Sequence, residues 1–513
     1  MVDEVVLGQP DDLRWDRLER EAGDVFGQPV DQGSAVLFIP RIGGRHRHRT
    51  TISVTEIRFK GDQTRMTDSG PSISERLARY IRSLRFEDLP TEIVERVKDH
   101  LVHHVALGLE GRNSEYGHYA RRTAARLSEA GGRFSAIGER PSLELLDAVF
   151  VNCLYMHQSG QDDSESGGTH PGVLVYPTAL NLAQDRTVSG RELLTACAIG
   201  YDVAMVLSAG TWAWTAPAPR RPNAIFGPVA VAATSARLLG LSESRTVNAL
   251  GLACHGALGL IEGTRFIWVV YPWECQAGVF AAVLAESGFP AAPSMIEGDF
   301  GLYQTLLQEI PAEIDENLAT LGSRFRITEA RVKQYRASNL NAGILDTTKR
   351  VSETMDLRPE HVESILIELP ESRRLREKRM EENFSKYTDI VSRIGSLPFL
   401  MARLIQDREL DHRTYLDPIS DDLQSLLDSI TLSFVDEAVP KYYARVTIRT
   451  SAGAVETFEH GRDGVRYPKV DREAWMAKCV GDDPPIDVGR FLRLVDELET
   501  LPDASVLLDA IEH

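Results

Sequence analysis

The sequence predicts a mainly α-helical protein: a large, discontinuous helical-bundle domain with a smaller α+β lid domain set into it. Three observations carry this. Apolar residues recur at helical spacing, with Ala- and Gly-rich stretches, from about residue 73 to 324. After about 325 the pattern shortens to strand-like alternation. Helical spacing then returns in Phe491-Leu-Arg-Leu-Val-Asp-Glu-Leu498 and Val506-Leu-Leu508, so the tail is expected to pack back on the bundle. This gives a helical domain of 73–324 plus 469–513 and a lid of 325–468.

Taken in order, residues 1–65 mix Gly, Arg and His around Arg41-Ile-Gly-Gly-Arg-His-Arg-His-Arg49 and carry no core pattern. They are expected to be a dispensable extension or an early start, since Met66-Thr-Asp-Ser-Gly-Pro-Ser reads as a natural beginning. Ser189-Gly-Arg-Glu192 has the spacing of a capping box and opens an apolar run from Leu193 to Leu207 that stops at Gly210. Pro228 suits a first helical turn, and Gly240 ends that Ala-rich stretch. Segments 228–240, 249–260 and 277–286 are rich enough in Ala and Gly to predict closely packed helices. In the lid, Ile365, Ile367 and Leu369 alternate with Leu366 and Glu368, and Val446-Thr-Ile448 and Val455-Glu-Thr457 flank Gly453 like hairpin arms.

At 513 residues, 43% hydrophobic and 26% charged, the chain has enough apolar surface for sizeable cores, and disorder is not its default. Its net charge of −18 disfavours unspecific attraction to nucleic acid or anionic lipid, so an anionic substrate needs a locally basic pocket. The five cysteines, Cys153, Cys197, Cys254, Cys275 and Cys479, are scattered without a paired motif. That argues against a cysteine-held metal and fits a reducing compartment. Without a signal-like or membrane-length apolar run, a soluble, cytoplasmic protein with neither nucleic-acid nor membrane partner is expected.

The densest polar cluster runs from His157 to Pro171, between two apolar helices. The first, Leu143 to Met156, delivers His157 at its end; Thr169 is placed to cap the second, with Pro171 near its first turn. Carboxylates, hydroxyls and imidazoles on a loop held by rigid helices suit general acid–base work, although a solvated helix connection has the same composition.

At these residues a resemblance enters. Ala148-Val-Phe-Val-Asn152, His157, Asp162-Asp163-Ser164 and Thr169-His-Pro-Gly172 resemble the signature of the MmgE/PrpD family, which includes 2-methylcitrate dehydratase and cis-aconitate decarboxylase. Ser189-Gly-Arg-Glu-Leu-Leu194, Gly200-Tyr-Asp-Val203, Phe226-Gly-Pro228, Asn248-Ala-Leu-Gly251, Ile296-Glu-Gly298 and Ser396-Leu-Pro398 agree in order. The resemblance implies a homodimer of two-domain subunits. It also implies an active site between the domains, with neither metal nor organic cofactor, that acts on a small carboxylate substrate by proton abstraction with loss of water or carbon dioxide.

Carried over by position, His170, Lys333 and the pair Asp162 and Asp163 match family site residues, Ser164 stands for a threonine, and His157 joins them as a catalytic candidate. Gly160 replaces an aspartate, Arg221 a histidine, Ile267 a lysine and Phe399 a tyrosine, with Arg265 close enough to supply the lysine's charge. Arg221, Arg265 and Arg336 are the expected carboxylate-binding cations. With Trp268 and Phe399 beside them, the pocket is expected to take a larger, less charged acid than methylcitrate.

The resemblance then implies a lyase, dehydratase in preference to decarboxylase, in which Lys333 and Arg221 stabilise enolate-like charge while His170 exchanges the proton. A carboxylic-acid isomerase or epimerase using the same carbanion, and a catalytically silent binding homologue, are the alternatives. Elsewhere, His103-His104 reads as core or interface, and Trp212, Trp214, Trp268 and Trp273 chiefly as core. Cys254-His255 cannot act together, being about 100° apart on a helix. Ser372 to Arg379 reads as a solvated basic face.

Overall fold

A computed structural model describes residues 70–129, 131–165, 168–211, 221–257, 269–383, 387, 390–410, 413–436, 439–461, 470–480 and 486–512. The extension 1–65, Trp212, Trp214, Arg265, Ile267 and Trp268 lie outside them. The fold is mainly α-helical with a smaller α+β part, as the periodicity predicts.

The bundle opens with α1 (Ile73–Ser83), α2 (Thr91–Gly111) and α3 (Glu115–Leu127). A complete capping box starts α1: Glu75 N donates to Ser72 Oγ, and Ser72 N donates to the Glu75 carboxylate. α4 (Leu145–His157), α5 (Gly172–Asp185) and α6 (Gly190–Ser208) follow. Ser189 caps α6 by accepting from Glu192 N at 3.3 Å. The reciprocal half of that box is not made, because Arg237 takes the Glu192 carboxylate. In α7 (Pro222–Leu238) the first-turn proline is Pro222, and Pro228 lies inside the helix instead of opening it. α8 (Glu243–Ala253) and α9 (Val270–Glu286) pack against α7, where small residues permit close approach. Two short helices, α10 (Leu302–Leu307) and α11 (Ile314–Ala319), lead out of the bundle.

The lid begins with α12 (Ala342–Thr354) and β1 (Val362–Pro370). From β1 the chain runs through α13 (Arg374–Asn383), α14 (Ile390–Gly395), α15 (Leu397–Asp407) and α16 (Asp421–Asp428) to β2 (Ile430–Val435). This long helical crossover lets β2 pair parallel to β1, a connection that a tight turn cannot make. β3 (Ala444–Thr450) and β4 (Val455–His460) form an antiparallel hairpin, giving the sheet order β2-β1-β3-β4. Gly453, at φ +85°, supplies its left-handed turn residue. The alternation in β1 has its expected cause: Ile365, Ile367 and Leu369 are buried with Val446 and Ile448 under α12 and α15, and Leu366 faces out.

The basic segment after β1 differs from the expected solvated face. Arg373 is fully buried and donates to Glu377 at 2.7 Å and to Asn341 Oδ1 at 2.7 Å. Phe399 is also buried in the lid core, against Tyr387 and between Arg393 and Arg403, so it does not line a substrate pocket.

After the lid, α17 (Arg472–Val480), α18 (Val488–Asp496) and α19 (Val506–Asp509) return to the bundle. Phe491, Val495, Leu498 and Leu507 join its apolar core, each contributing roughly 1.5–3 kcal/mol by burial. Arg472 ties α17 to α2 through Glu95 at 2.8 Å and Asp99 at 2.7 Å. Two apolar cores result, one helical and built from described segments on both sides of the sheet-bearing part, the other between sheet and helices.

Candidate active site

α4 ends at His157, and the chain must turn before α5 can begin. Gly160 makes the turn at φ +68°, a conformation cheap for glycine, and its carbonyl accepts from Lys333 Nζ at 3.0 Å. The loop is then pinned to the first strand-like stretch leading into the lid. Ser164 and Arg331 exchange backbone hydrogen bonds, both 3.0 Å, and Gln161 Nε2 donates to Gln334 O at 2.9 Å. Groups far apart in sequence therefore meet where the two cores join.

Along this segment the neighbouring aspartates serve different partners. Asp162 is fully buried, with Oδ1 3.1 Å from His157 Nδ1 and 3.8 Å from Lys333 Nζ, and Oδ2 2.5 Å from His170 Nδ1. Burial alone would raise its carboxyl, but Lys333, His170 and His157 hold it well below the usual carboxylate range. Asp162 therefore carries a fixed negative charge. It accepts from Nδ1 of His170, so the network assigns that imidazole's lone pair to Nε2. Burial lowers the basicity of His170 below the ordinary histidine value, against the raising effect of Asp162. Burial similarly lowers Lys333, with Asp162 and Asp163 opposing it. His170 is the most open member of the cluster, 17% exposed against 6% for Lys333 and 3% for His157.

Asp163 instead turns into the bundle. It accepts from Tyr201 Oη at 2.5 Å, His100 Nδ1 at 2.8 Å and Gly172 N at 3.0 Å, the last capping α5 in place of Thr169. Thr169 donates to Ser208 Oγ. His104 and His100 hold Asp163 well below the carboxylate range against the raising effect of burial. Fully enclosed, Asp163 positions the loop and α5 without reaching a cleft. Ser164 is fixed by its backbone, and its buried Oγ has no hydrogen-bond partner. Arg336 is committed to an ion pair with Glu110 that joins lid and bundle, which corrects its expected role as a free carboxylate binder. Arg221 remains beside the cluster as the residue before α7, its charge acting on His157 and Tyr271.

Several residues at the site gave no functional signal in the sequence. Tyr271 packs its ring 4.3 Å from that of His157 and 5.7 Å from that of His170. Asn223 accepts from His170 N at 2.9 Å. Glu274, fully buried one turn after Tyr271, was detectable only as an acid within an apolar helical run. His103, read as core or interface, is buried with its Nε2 3.0 Å from Gln161 O, so it supports the loop. Among the described residues no three His, Cys, Asp or Glu side chains are grouped to hold a metal ion. Likewise, no described helix is long and apolar enough to cross a membrane.

The helical bundle that carries this loop matches a family model, the MmgE/PrpD N-terminal domain, over residues 75–315. By this match, residues 75–315 form a domain of the MmgE/PrpD family. It is similar to a cis-aconitate decarboxylase-like protein of Aspergillus oryzae, 27% identical over 53% of this chain and 60% of that one. A cis-aconitate decarboxylase of Aspergillus terreus is 22% identical over 56% of this chain and 62% of its own length. The human cis-aconitate decarboxylase is 28% identical over 45% and 50% respectively. The matches thus span between half and two thirds of these relatives.

Proposed function

We propose that the protein is a lyase that decarboxylates a small di- or tricarboxylate, using side chains alone for proton transfer and charge stabilisation. One observation carries the reading: a buried Asp162 carboxylate orients the part-exposed His170 while Lys333 stands beside it. In the reaction, the bond between substrate carbon and a carboxylate breaks and carbon dioxide leaves. The electron pair stays on the substrate as charge delocalised into a remaining carboxylate, where Lys333 and Arg221 stabilise it. His170, protonated from solvent, delivers a proton to carbon and returns to the neutral form. Decarboxylation is placed ahead of dehydration because the relatives carry that name.

Dehydration is the second reading, favoured by the lowered basicity of His170. An imidazole that is neutral at pH 7 is ready to abstract a proton next to a carboxylate, after which hydroxide leaves as water. Incubating the pure protein with cis-aconitate and related acids in deuterated buffer separates the readings by NMR. Decarboxylation yields carbon dioxide and a product deuterated at one carbon. Interconversion of hydroxy and unsaturated acids selects dehydration; deuterium uptake without bond loss selects an isomerase. No change in any acid overturns the enzymatic reading.

A further inference from the structure

Beside His170, two helix starts bring together polar groups whose hydrogen-bonding capacity the proton-transfer cluster leaves largely unused. Arg221 and Asn223 come from the start of α7, Tyr271 and Glu274 from the first two turns of α9, where the spacing of three residues puts the last two on one face. Glu274 is 3% exposed, Tyr271 and Asn223 0%, yet both Glu274 oxygens, Asn223 Nδ2 and Arg221 Nε have no hydrogen-bond partner, and Tyr271 Oη stands beside the Arg221 guanidinium. Buried polar atoms are nearly always paired, and a cluster of exceptions in one place calls for a ligand. The fold also makes room for the acid: a Cβ on Gly227 would meet Glu274 Oε2 at 2.2 Å, so a side chain there would displace it.

The chemistry of the set selects the ligand. Arg221, Asn223 and Tyr271 all present donors. Glu274 joins them as a donor, because burial raises its carboxyl well above the usual range, the neighbouring Cys275 adds to this, and Arg221 only partly offsets it. Four donors gathered about the starts of two packed helices, with Arg221 acting on both Tyr271 and Glu274, suit an acceptor-rich partner. Their place beside the imidazole of His170 makes that partner part of the reacting molecule.

We propose that Glu274 and Tyr271, with Arg221 and Asn223, form a subsite that binds the central carboxylate of a tricarboxylate substrate and sets the enzyme's preference for tricarboxylates over dicarboxylates. This rests on the lyase reading for the identity of the substrate, but its test does not need turnover. Calorimetry with tricarballylate, an inert saturated tricarboxylate, and with glutarate, which lacks the central carboxylate, reads the subsite directly. The wild-type protein binds tricarballylate more tightly than glutarate. Glu274→Leu and Tyr271→Phe each weaken tricarballylate roughly tenfold or more and leave glutarate nearly unchanged, whereas Glu274→Gln, which keeps a donor, stays close to wild type. Tyr271→Phe preserves shape, so its loss of affinity is not a folding defect.

If both variants bind tricarballylate like wild type, if they lose both acids equally, or if the wild-type protein binds neither, the subsite is overturned. A wild-type protein that binds in this Glu274-dependent manner yet turns over no acid overturns only the lyase reading. Turnover of cis-aconitate with an unchanged KM in both variants overturns only the subsite.

Discussion

Replacing Asp162 by Asn removes one negative charge from a point where two imidazoles and an ammonium group converge. The amide keeps the size of the side chain but offers one acceptor and one donor in place of two acceptors. One imidazole then faces an N–H and must turn its Nδ1 lone pair inward, which places the proton on Nε2. Lys333, on the Oδ1 side, holds the amide oxygen there, so the N–H takes the Oδ2 position and faces His170, which ceases to be a base. Losing a correctly oriented acid–base group lowers turnover by about 10² to 10⁴, and a wrong tautomer lies at the upper end of that range.

Stability should fall as well. Lys333 is buried and keeps the Gly160 carbonyl at 3.0 Å and the more distant charge of Asp163, and removing one partner of a buried ion pair costs on the order of 3 kcal/mol or more. The sign with pH follows from Asp162 being held below the carboxylate range. Its contribution is complete above the unfolded carboxylate value of about 4 and disappears as pH falls through the lower folded value. Denaturant melts of Asp162→Asn and of Asp162→Asn with Lys333→Met, together with steady-state turnover, provide the assay. The second substitution should restore part of the lost stability, since it removes the stranded charge, but none of the activity. Turnover of Asp162→Asn within about threefold of wild type would refute the reasoning, because the smallest effect it permits is about 10².

Other outcomes follow from the same contacts. Burial pushes Asp202 up to about 7, so the folded chain retains a proton that the unfolded chain releases near pH 4. Its contribution is therefore fully present below about pH 4 and declines by roughly 4 kcal/mol as pH rises to about 7. Asp202→Asn, able to satisfy both Tyr80 and the Arg326 amide, should gain stability relative to wild type between pH 5 and pH 8; parallel curves would contradict this. His103→Leu leaves the Gln161 carbonyl without its imidazole and should cost about 1–3 kcal/mol in urea melts, with lower turnover but an unmoved pH optimum. Dialysis against a chelator should leave turnover unchanged, as followed by carbon dioxide release.

The sequence made the bundle legible because its signals are local. Ser189 does cap a helix, Gly453 does turn a hairpin, and the alternation about Ile365 and Ile367 does mark a buried strand face. Side-chain direction was not legible. Nothing in Asp162-Asp163 says that one carboxylate serves His170 while the other caps α5; the Ser164–Arg331 pairing and the histidines of α2 decide it. Charge was a poor guide to exposure for the same reason. Arg373 is buried because Glu377 and Asn341 are there to meet it, and Arg336 is spent on Glu110 from the other core. Glu274 is inconspicuous within its helix, since its meaning comes from Arg221, which lies on another.

That His170 exchanges the proton is the central claim, and His170→Gln tests it most directly. Conversion of cis-aconitate in deuterated buffer is followed for the wild-type and variant proteins, with melting curves as the check on folding. The part-exposed position of His170 predicts a nearly unchanged melting temperature, while product formation and deuterium uptake fall by roughly a hundredfold or more. Full product formation by a folded His170→Gln protein would contradict the account.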